Sequence, residues 1–465
     1  MKINIASNEV VHFVGIGGIG MSGLAQIMNN MGFTIQGSDL NRNKNTARLI
    51  KKGIKVYFGH HRRNLNKTTM IVISSAIKKN NKELIEAKHK KLPVFKRGEM
   101  LANIVALKKN IVIAGSHGKT TTTSLVANIL VEAGLDPTVI NGGVINSLKN
   151  NAQLGKGEWA VIESDESDGS FLKLPITYSI VTNLDKEHLD FYGSFEKLKK
   201  SFCTFIEKTP SFGKALICID NDNLKSLLPK CKTLNFLTYG FNKISNYQIT
   251  NVRRNKNFSI FDLKLKFPSN RTTTINNIVV NLIGDHNITN AAASVAIALN
   301  LGVKVGKIKK ALKKFLGIQR RITKIFSLGK REFYDDYAHH PTEIKAVINS
   351  ARQVYKDRKI ICVFQPHRYS RVKYLKNEFS LSFKFSDAVV LCPVYSAGER
   401  VMYNFNQDDF SKLISRKSRT QVINIANQKE LKNYFKKNLL EDEMIICMGA
   451  GSISNWIREI GNELK

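Results

Sequence analysis

The sequence lacks any apolar run approaching the roughly 18 residues that a membrane-spanning helix needs. Its first residues also lack the apolar core and cleavage site of a secretion signal. Cysteine is scarce: the six residues are scattered, and no spacing of cysteine or histidine indicates a disulfide framework or a structural metal site. These absences favour a soluble protein of a reducing compartment, and we expect a cytoplasmic location.

Acidic residues are few, because 37 Asp and Glu stand against 72 Lys and Arg and leave a net charge of +35. Such a charge fits either a nucleic-acid-binding protein or a compositional drift toward lysine, as an AT-rich genome produces. No basic arm or aromatic-interleaved patch concentrates the charge, which favours drift. We therefore expect no nucleic-acid partner, although the charge would attract anionic substrates such as nucleotides.

The chain also lacks internal repeats and low-complexity linkers. Its 465 residues exceed one ordinary core and suggest about three domains. Strand and helix patterns alternate with glycine turns, which favours an α/β architecture. We predict an N-terminal Rossmann-like domain over 1–106, a central P-loop domain with a mostly parallel sheet over 107–316, and a C-terminal Rossmann-like α/β domain over 317–465.

The most informative motif lies between a predicted strand at 110–114 and a predicted helix at 122–130. Strand, glycine turn and helix start form the arrangement that holds nucleotide phosphates, because backbone N–H groups and the helix dipole favour negative charge there. Lys119 would reach the β- and γ-phosphates, and Thr120 would hold Mg²⁺. The loop is shortened, since Ile113 occupies the place of the usual first glycine. Its residues are Gly115, Ser116, His117, Gly118, Lys119, Thr120 and Thr121.

A second glycine motif opens the chain. A predicted strand at 10–14 precedes it, and the next strand ends at Ser38 and Asp39, which is the fingerprint of a dinucleotide site. Taken alone it suggests a nicotinamide oxidoreductase, but the same glycines suit any diphosphate. Ser74 and Ser75 end a later strand near the same site. The motif glycines are Gly15, Gly17, Gly18 and Gly20.

Acidic residues follow two apolar strands predicted at 159–162 and 178–183. Ligands bind at the carboxyl ends of parallel strands, and Glu163 and His188 lie nearest those ends. With Thr120 they could share Mg²⁺, although histidine is an atypical ligand for so hard a cation. Further along, Asn287 and Asn290 share one face of a helical turn, where they either cap the helix or contact a nucleotide.

Polar residues also gather after strands in the last third of the chain. Asp336 ends the strand predicted at 331–336 and Tyr337 follows it, and His367 and Arg371 follow the strand predicted at 360–364. Arg321 lies just before this region. For any single histidine here, a structural role is as good an interpretation as a catalytic one.

Five motifs in this order resemble those of the Mur ligase family, with the best agreement to its alanine-adding member. Two positions differ: Ser116 stands where the family usually has Thr, and Glu187 stands where Asp commonly precedes the motif histidine. Neither difference removes a proposed functional group. The five motifs occupy residues 15–23, 115–120, 163–168, 335–341 and 365–371.

The resemblance implies an ATP- and Mg²⁺-dependent ligase of peptidoglycan precursor synthesis. A carboxylate of UDP-N-acetylmuramate would attack the γ-phosphate of ATP, and L-alanine would displace phosphate from the acyl phosphate. The first glycine motif would then hold the UDP-sugar diphosphate, with Ser38 and Asp39 near the uridine, so we expect no NAD dependence.

The resemblance also implies a role for each candidate residue. It implies that Thr120, Glu163 and His188 bind the metal. It implies that Asn287 and Asn290 bind the nucleotide together with the phosphate loop. The amino acid would be bound by Tyr337, His367 and Arg371. Catalysis would depend on Lys119, Glu163, His188, Arg321 and Asp336.

Two other interpretations stay open. One is another Mur ligase, including one that reuses recycled peptide. The other, of a different class, is a basic nucleic-acid-binding ATPase, which the net charge and the phosphate loop both suit.

Overall fold

The computed structural model describes residues 9–148, 150–267, 269, 271–399 and 405–464. The chain divides into two compact units. The first holds the N-terminal sheet and most of the central sheet, and the second holds the C-terminal sheet with two short segments, Arg253–Ile260 and Asn281–Ile288.

The N-terminal domain is a five-stranded sheet in the order β3-β2-β1-β4-β5, and all of its pairs are parallel. Its first strand is an apolar run whose Val11, Phe13 and Val14 are fully buried, as a central parallel strand requires. The strands are β1 (Val10–Val14), β2 (Thr34–Asp39), β3 (Lys55–Phe58), β4 (Met70–Ile73) and β5 (Val94–Lys96). The helices are α1 (Ile19–Asn30), α2 (Lys44–Lys51), α3 (Lys82–His89) and α4 (Arg97–Val105).

The central sheet has ten strands in the order β15-β14-β13-β12-β11-β10-β6-β9-β7-β8. Its strands are β6 (Lys109–Ala114), β7 (Thr138–Ile145), β8 (Asn150–Gln153), β9 (Trp159–Glu163), β10 (Tyr178–Val181), β11 (Ala215–Cys218), β12 (Phe236–Gly240), β13 (Tyr247–Arg254), β14 (Ser259–Lys266) and β15 (Thr272–Val280). Its helices are α5 (Lys119–Ala133), α6 (Leu189–Tyr192), α7 (Phe195–Glu207), α8 (Asp222–Leu227), α9 (Asp285–Asn300) and α10 (Val305–Lys313).

The register of this sheet determines where its polar residues meet. Strand β6 lies between β9 and β10 and pairs in parallel with both. Ile113 is level with Glu163, and Ala114 is level with Val181. The three carboxyl ends therefore lie side by side, which brings the loops after β6, β9 and β10 to one edge of the sheet.

The C-terminal domain is a six-stranded sheet in the order β16-β17-β21-β18-β19-β20. Only the pair β16–β17 is antiparallel among the described pairs of this sheet. Its strands are β16 (Thr323–Leu328), β17 (Arg331–Asp336), β18 (Lys359–Phe364), β19 (Ala388–Leu391), β20 (Gln421–Asn424) and β21 (Glu443–Met448). Its helices are α11 (Pro341–Val354), α12 (Tyr369–Tyr374), α13 (Lys376–Ser380), α14 (Gln407–Ser418), α15 (Gln428–Lys437) and α16 (Ile453–Leu464).

Register again aligns the ends of three strands in this domain. Asp336 and Phe364 are both level with Met448. Apolar clusters cover both faces of the sheet, one around Phe364 and Val389 and the other around Phe333 and Val363. The fold thus confirms the predicted three-domain α/β architecture with parallel-rich sheets, while the residue boundaries at 106/107 and 316/317 stay predictions.

The structure bears on two expectations drawn from the sequence, one about membrane-spanning helices and one about disulfides. Across the described ranges, every helix is too short or too polar to cross a bilayer. The expectation of no disulfide is wrong at one place, because Cys203 on α7 is bonded to Cys231, 28 residues further on. The bond joins cysteines that are distant in sequence, so spacing alone did not reveal it.

Candidate active site

The phosphate loop lies between β6 and α5, as the sequence predicts. Two of its glycines have left-handed backbone conformations, with φ of +137° at Gly115 and +80° at Gly118. A side chain at Gly115 would bring a Cβ to 2.1 Å from the hydroxyl of Thr182. Helix α5 begins at Lys119, so its first N–H groups face the loop. The loop thus has the geometry of an anion site at a helix N-terminus.

Lys119 is held at this helix start by acceptors on two elements. Its ammonium donates to Glu166 Oε1 at 2.8 Å, to the carbonyl of Ser116 at 3.2 Å and to the carbonyl of Gly115. Burial lowers the pKa of Lys119, but the carboxylates of Glu166 and Glu163 outweigh burial and raise the pKa above its ordinary value. The loop therefore carries a fixed positive charge.

Thr120 and Glu163 place hard oxygen atoms next to this cation. The Thr120 hydroxyl donates to Glu163 Oε1 at 3.0 Å, and the other carboxylate oxygen accepts the N–H of Gly142 at 2.5 Å. The two residues meet because β9 ends level with the last residues of β6. Hydroxyl and carboxylate oxygens are the ligands that Mg²⁺ prefers.

His188 joins a second group of acids at the same edge. Its Nε2 lies 3.7 Å from Glu166 Oε1, and Glu187 completes a cluster whose ligand atoms all lie within 4.8 Å of one another. Burial raises the pKa of Glu166. Within the described residues, Glu166 Oε2 is buried without a hydrogen-bond partner. Sequence reasoning chose Glu163 and His188 and missed Glu166 and Glu187, although both lie in the acidic turns that it identified.

Ser116 and His117 connect the loop to the end of β10. The N–H of His117 donates to Asn183 Oδ1 at 2.7 Å, and its Nε2 lies 2.9 Å from Asp185 Oδ2. The Ser116 hydroxyl accepts the N–H of Asp185 at 2.8 Å. These contacts fix the shape of the loop. Asn183 and Asp185 are supporting residues that the sequence did not reveal.

The two asparagines of α9 have different surroundings. Asn290 is buried and accepts the Thr122 hydroxyl at 3.2 Å, and a Cβ on Gly118 would come within 2.7 Å of its Oδ1. Asn287 donates from its amide to the carbonyl of Ile283 at 2.8 Å. Asn290 therefore lies against the phosphate loop, whereas the described contact of Asn287 is with its own helix start.

The N-terminal glycine motif wraps around the end of β2. The N–H groups of Gly15 and Ile16 donate to the Ser38 carbonyl at 2.8 and 2.9 Å, and Gly17 donates to Asp39 Oδ2 at 2.8 Å. The Ser38 hydroxyl points inward and donates to the buried carboxylate of Glu83 at 2.6 Å. Ser38 therefore meets the loop through its backbone.

Three more residues surround this motif. Ser74 lies beside Gly15, because a Cβ added to Gly15 would be 3.2 Å from the Cβ of Ser74. Ser75 is exposed. Arg97 was not predicted from the sequence. Its guanidinium would be 3.3 Å from a Cβ on Gly20, and it pairs with Asp165 at 3.0 Å. Gly20 thus leaves room for the Arg97 guanidinium at the start of α1.

The C-terminal unit groups its predicted residues around the ends of β17 and β18. Asp336 accepts the N–H groups of Ile322 at 2.7 Å and Ala338 at 2.8 Å, and burial raises its pKa to about 6. The guanidinium of Arg321 lies 5.7 Å from the ring centre of Tyr337. Asp336 therefore holds the turn that carries Arg321 and Tyr337.

His367 and Arg371 form the other half of this group. Arg371 Nη1 lies 3.1 Å from His367 Nδ1 and donates to the His367 carbonyl at 3.1 Å. Burial lowers the pKa of His367 to about 3, and the nearby His339 and Arg371 add to the effect. His367 is therefore a neutral acceptor that orients the guanidinium of Arg371. A guanidinium is the side-chain group best suited to bind a carboxylate.

Comparison with known proteins places these sites in a family. Models of the Mur ligase family match the chain three times: the catalytic domain at residues 10–109, the middle domain at 113–298 and the glutamate ligase domain at 320–451. A relative from Pelagibacter ubique, named UDP-N-acetylmuramate–L-alanine ligase, is 54% identical over 99% of both chains.

Solved structures agree with this result. The UDP-N-acetylmuramate–alanine ligase of Thermotoga maritima superposes with a TM-score of 0.81 at 26% identity, covering 97% of this chain and 98% of its own. A murein peptide ligase from Psychrobacter arcticus has the same fold, with a TM-score of 0.72 at 22% identity and 98% coverage of both chains. Because three family models match in order along the chain and a full-length relative is 54% identical, the chain belongs to the Mur ligase family of ATP-dependent ligases.

Proposed function

We propose that this enzyme joins L-alanine to UDP-N-acetylmuramate, using ATP, in peptidoglycan precursor synthesis. The observation that carries the proposal is the full-length similarity to the alanine-adding ligase of Pelagibacter ubique, at 54% identity. The muramate carboxylate attacks the γ-phosphate and ADP leaves. The alanine amine then attacks the acyl phosphate and phosphate leaves. Activation is needed because a free carboxylate is a poor acyl donor.

Lys119 acts on the phosphates of ATP. Phosphoryl transfer depends mainly on positioning and charge neutralisation, and the Lys119 ammonium is a permanent cation at the start of α5. In the structure it contacts Glu166, so ATP binding exchanges this carboxylate for phosphate oxygens. The nucleotide is bound by the loop from Gly115 to Thr121 and by Asn287 and Asn290.

Thr120, Glu163 and His188 would hold Mg²⁺. The Thr120 hydroxyl adjoins the Glu163 carboxylate, and His188 lies in a cluster with Glu166, whose buried Oε2 lacks a hydrogen-bond partner among the described residues. The ion would supply charge neutralisation for the transferring phosphoryl group. Glu166 and Glu187 would add negative charge beside His188.

The N-terminal domain binds the UDP-sugar. Gly15, Gly17, Gly18 and Gly20 let the loop backbone come close to the diphosphate, while the N–H groups of Gly15 and Gly17 bind Ser38 and Asp39 on the side of the uridine. Ser74 and Ser75 lie along the same edge. No nicotinamide cofactor takes part.

The C-terminal domain binds the amino acid. Arg371, oriented by His367, pairs with the alanine carboxylate, and Tyr337 lies on the same side through ring contacts of His339 with both Tyr337 and His367. Arg321 supplies a cation for the phosphates, and Asp336 keeps its turn in place. This assignment leaves the amine of alanine as the nucleophile.

The proposal also includes domain boundaries at 106/107 and 316/317. It includes a cytoplasmic location as well. ATP and a UDP-sugar are substrates of the cytoplasm, and the net charge of +35 favours the approach of such anions without a nucleic-acid partner.

Phosphate release with different amino donors tests the assignment. We expect release only when ATP, Mg²⁺, UDP-N-acetylmuramate and L-alanine are all present. Omission of any one is the matched control. Efficient replacement of L-alanine by D-glutamate or by a preformed tripeptide would reassign the enzyme to a sister ligase. Stimulation by DNA, with no need for the UDP-sugar, would favour the nucleic-acid-binding ATPase instead.

A further inference from the structure

The disulfide between Cys203 and Cys231 lies outside the residues assigned to the ligase reaction. Cys203 is on α7, and Cys231 follows the short 3-10 turn Leu228–Lys230 after α8. Their Cα atoms are 5.4 Å apart, within the range that a disulfide requires. Each residue retains 8% of its surface exposed, so the bond lies just beneath the protein surface.

A surface cavity of about 370 Å³ opens onto only one of the two cysteines. Cys203 lines it, whereas Cys231 is absent from its lining. Four lysines also line this cavity, namely Lys199, Lys200, Lys230 and Lys232. Positive charge next to a thiol favours the reactive thiolate and attracts anionic reagents.

Two glutamates of the cavity wall partly neutralise the charge of these lysines, and one of them can accept a proton from the Cys203 thiol. Lys199 pairs with Glu196 at 2.9 Å. Glu207, also in the cavity wall, lies 3.6 Å from Cys203 Sγ and accepts the N–H of Lys232 at 2.7 Å. Its carboxylate is within reach of the Cys203 thiol proton when the pair is reduced.

The other four cysteines have the opposite environment. Burial raises the pKa of the thiols of Cys218, Cys362 and Cys392 to about 12 each and that of Cys447 well above its usual value. Such thiols are inert, because the thiolate is the nucleophile. Thiol chemistry of the native protein is therefore confined to the pair.

We propose that Cys203 and Cys231 are a reversible thiol–disulfide site that reacts with small anionic disulfides through the lysine-lined cavity. In oxidation, the Cys203 thiolate attacks one sulfur of the small disulfide, and that S–S bond breaks to release one small thiolate. The Cys231 thiolate then attacks Cys203 Sγ in the mixed disulfide, and the second small thiolate leaves. Two protein thiols are oxidised, one small disulfide is reduced to two thiols, and the two protons pass to these products.

Location supports reversibility. In a reducing compartment, the disulfides that form are mostly transient and redox-responsive. Reversibility rests on the proposed cytoplasmic location, whereas the order of attack rests only on which cysteine lines the cavity.

Peptide mapping of the full-length protein after native alkylation tests the site, with oxidised glutathione as the probe. Iodoacetamide should label Cys203 and Cys231 in the reduced protein and leave the other four cysteines unlabelled. Treatment with the probe should protect the pair, and dithiothreitol should restore labelling. Cys218→Ser is the matched control and should behave like the wild type.

Two variants test the order of attack. Cys231→Ser should accumulate one glutathione on Cys203, because no second thiol resolves the mixed disulfide. Cys203→Ser should accumulate little on Cys231. Replacing Lys200 and Lys232 by Glu should slow the reaction with oxidised glutathione roughly tenfold but leave that with an uncharged disulfide unchanged.

Three results would overturn the proposal. The first is labelling of Cys203 and Cys231 that oxidised glutathione does not change. The second is equal trapping in both serine variants. The third is zinc retained by the reduced wild type through Cys203, Cys231 and Glu207, with alkylation blocked by the metal. If a serine variant fails to fold, the wild-type labelling experiment still decides.

Discussion

Lys119 shows how one side chain links the sequence motif to chemistry. Its ammonium is buried, yet the carboxylates of Glu166 and Glu163 keep it charged, and it is paired with Glu166. In the proposed function, phosphate oxygens replace Glu166 at this ammonium, which then stabilises the transferring phosphoryl group.

We expect Lys119→Ala to lower kcat roughly 10²–10³-fold while the protein stays folded, because the fixed charge is lost at the phosphates. Steady-state kinetics with circular dichroism measures both effects. Lys109→Ala is the control, since Lys109 is an exposed lysine at the start of β6, the strand before the phosphate loop, and is paired with Glu158. An unchanged kcat in Lys119→Ala would remove the phosphate role of the loop.

Arg371→Ala should raise the KM for L-alanine roughly 10- to 100-fold and that for ATP much less. The reason is the loss of a charge-assisted pair with the alanine carboxylate, worth about 1.5–3 kcal/mol. Lys373→Ala, an exposed residue of the same helix, is the matched control. Equal increases in both KM values would show that Arg371 acts on the whole site.

Sequence patterns predict residues well when the motif itself specifies the role. Thr120 meets Glu163 because β6, the strand before the phosphate loop, ends level with β9. Glu166 and Arg97 escaped prediction, since their roles depend on contacts with residues 47 and 68 positions away in sequence. A pattern of neighbouring residues in the sequence does not predict a contact between residues so far apart.

Helix α5 offers a comparison at the scale of an element, because a left-handed glycine stands at each end. Gly118 and Gly134 have φ of +80° and +85°. A Cβ at Gly134 would meet nothing within 4 Å, whereas one at Gly118 would meet Asn290 Oδ1 at 2.7 Å. The two glycines thus differ in surroundings and share the same backbone requirement.

Alanine should therefore cost about 1–2 kcal/mol of unfolding free energy at Gly134, from the backbone alone. At Gly118 the cost should be higher by about 1–3 kcal/mol, because the new methyl overlaps Asn290. Chemical denaturation of both variants measures the difference. The double variant Gly118→Ala, Asn290→Ala should recover most of the excess. Equal costs at the two glycines would show that Asn290 does not constrain the loop.

Some strands could be predicted from the sequence and others could not, for a physical reason. Strands β1 and β17 were predicted with the observed bounds. Strand β1 is a short apolar run that ends at a glycine turn, whereas β17 has a central Phe333–Tyr334 pair between charged residues. The β7–β8 pair and the strands β13 to β15 were not predicted. They carry mixed polar patterns at the ends of the central sheet, where pairing depends on neighbouring strands more than on local sequence.

At the scale of the whole molecule, buried histidines link stability to pH. Burial lowers the pKa of His286 to about 4, with Arg321 adding to the effect, and burial lowers that of His367 to about 3. Both are neutral when folded. Below pH 6.5 the unfolded chain binds protons that the folded chain does not, so stability falls as the pH drops from about 6.5 toward 4.

His286→Gln should flatten this decline and recover at most about 3 kcal/mol at low pH. It should leave stability above pH 7 nearly unchanged, because the histidine is neutral in both states there. Denaturation across a pH series measures the slope. His61→Gln, at an exposed position, is the control. A slope that His286→Gln does not alter would mean that other groups take up the protons.

The central claim is that the muramate carboxylate is activated by the γ-phosphate of ATP before L-alanine attacks. Isotope transfer tests it most directly. UDP-N-acetylmuramate carrying the heavy oxygen isotope in its carboxylate is converted with ATP and L-alanine, and the released phosphate is analysed by mass spectrometry. The account predicts one heavy oxygen in each phosphate released. Product formed with unlabelled phosphate would contradict it.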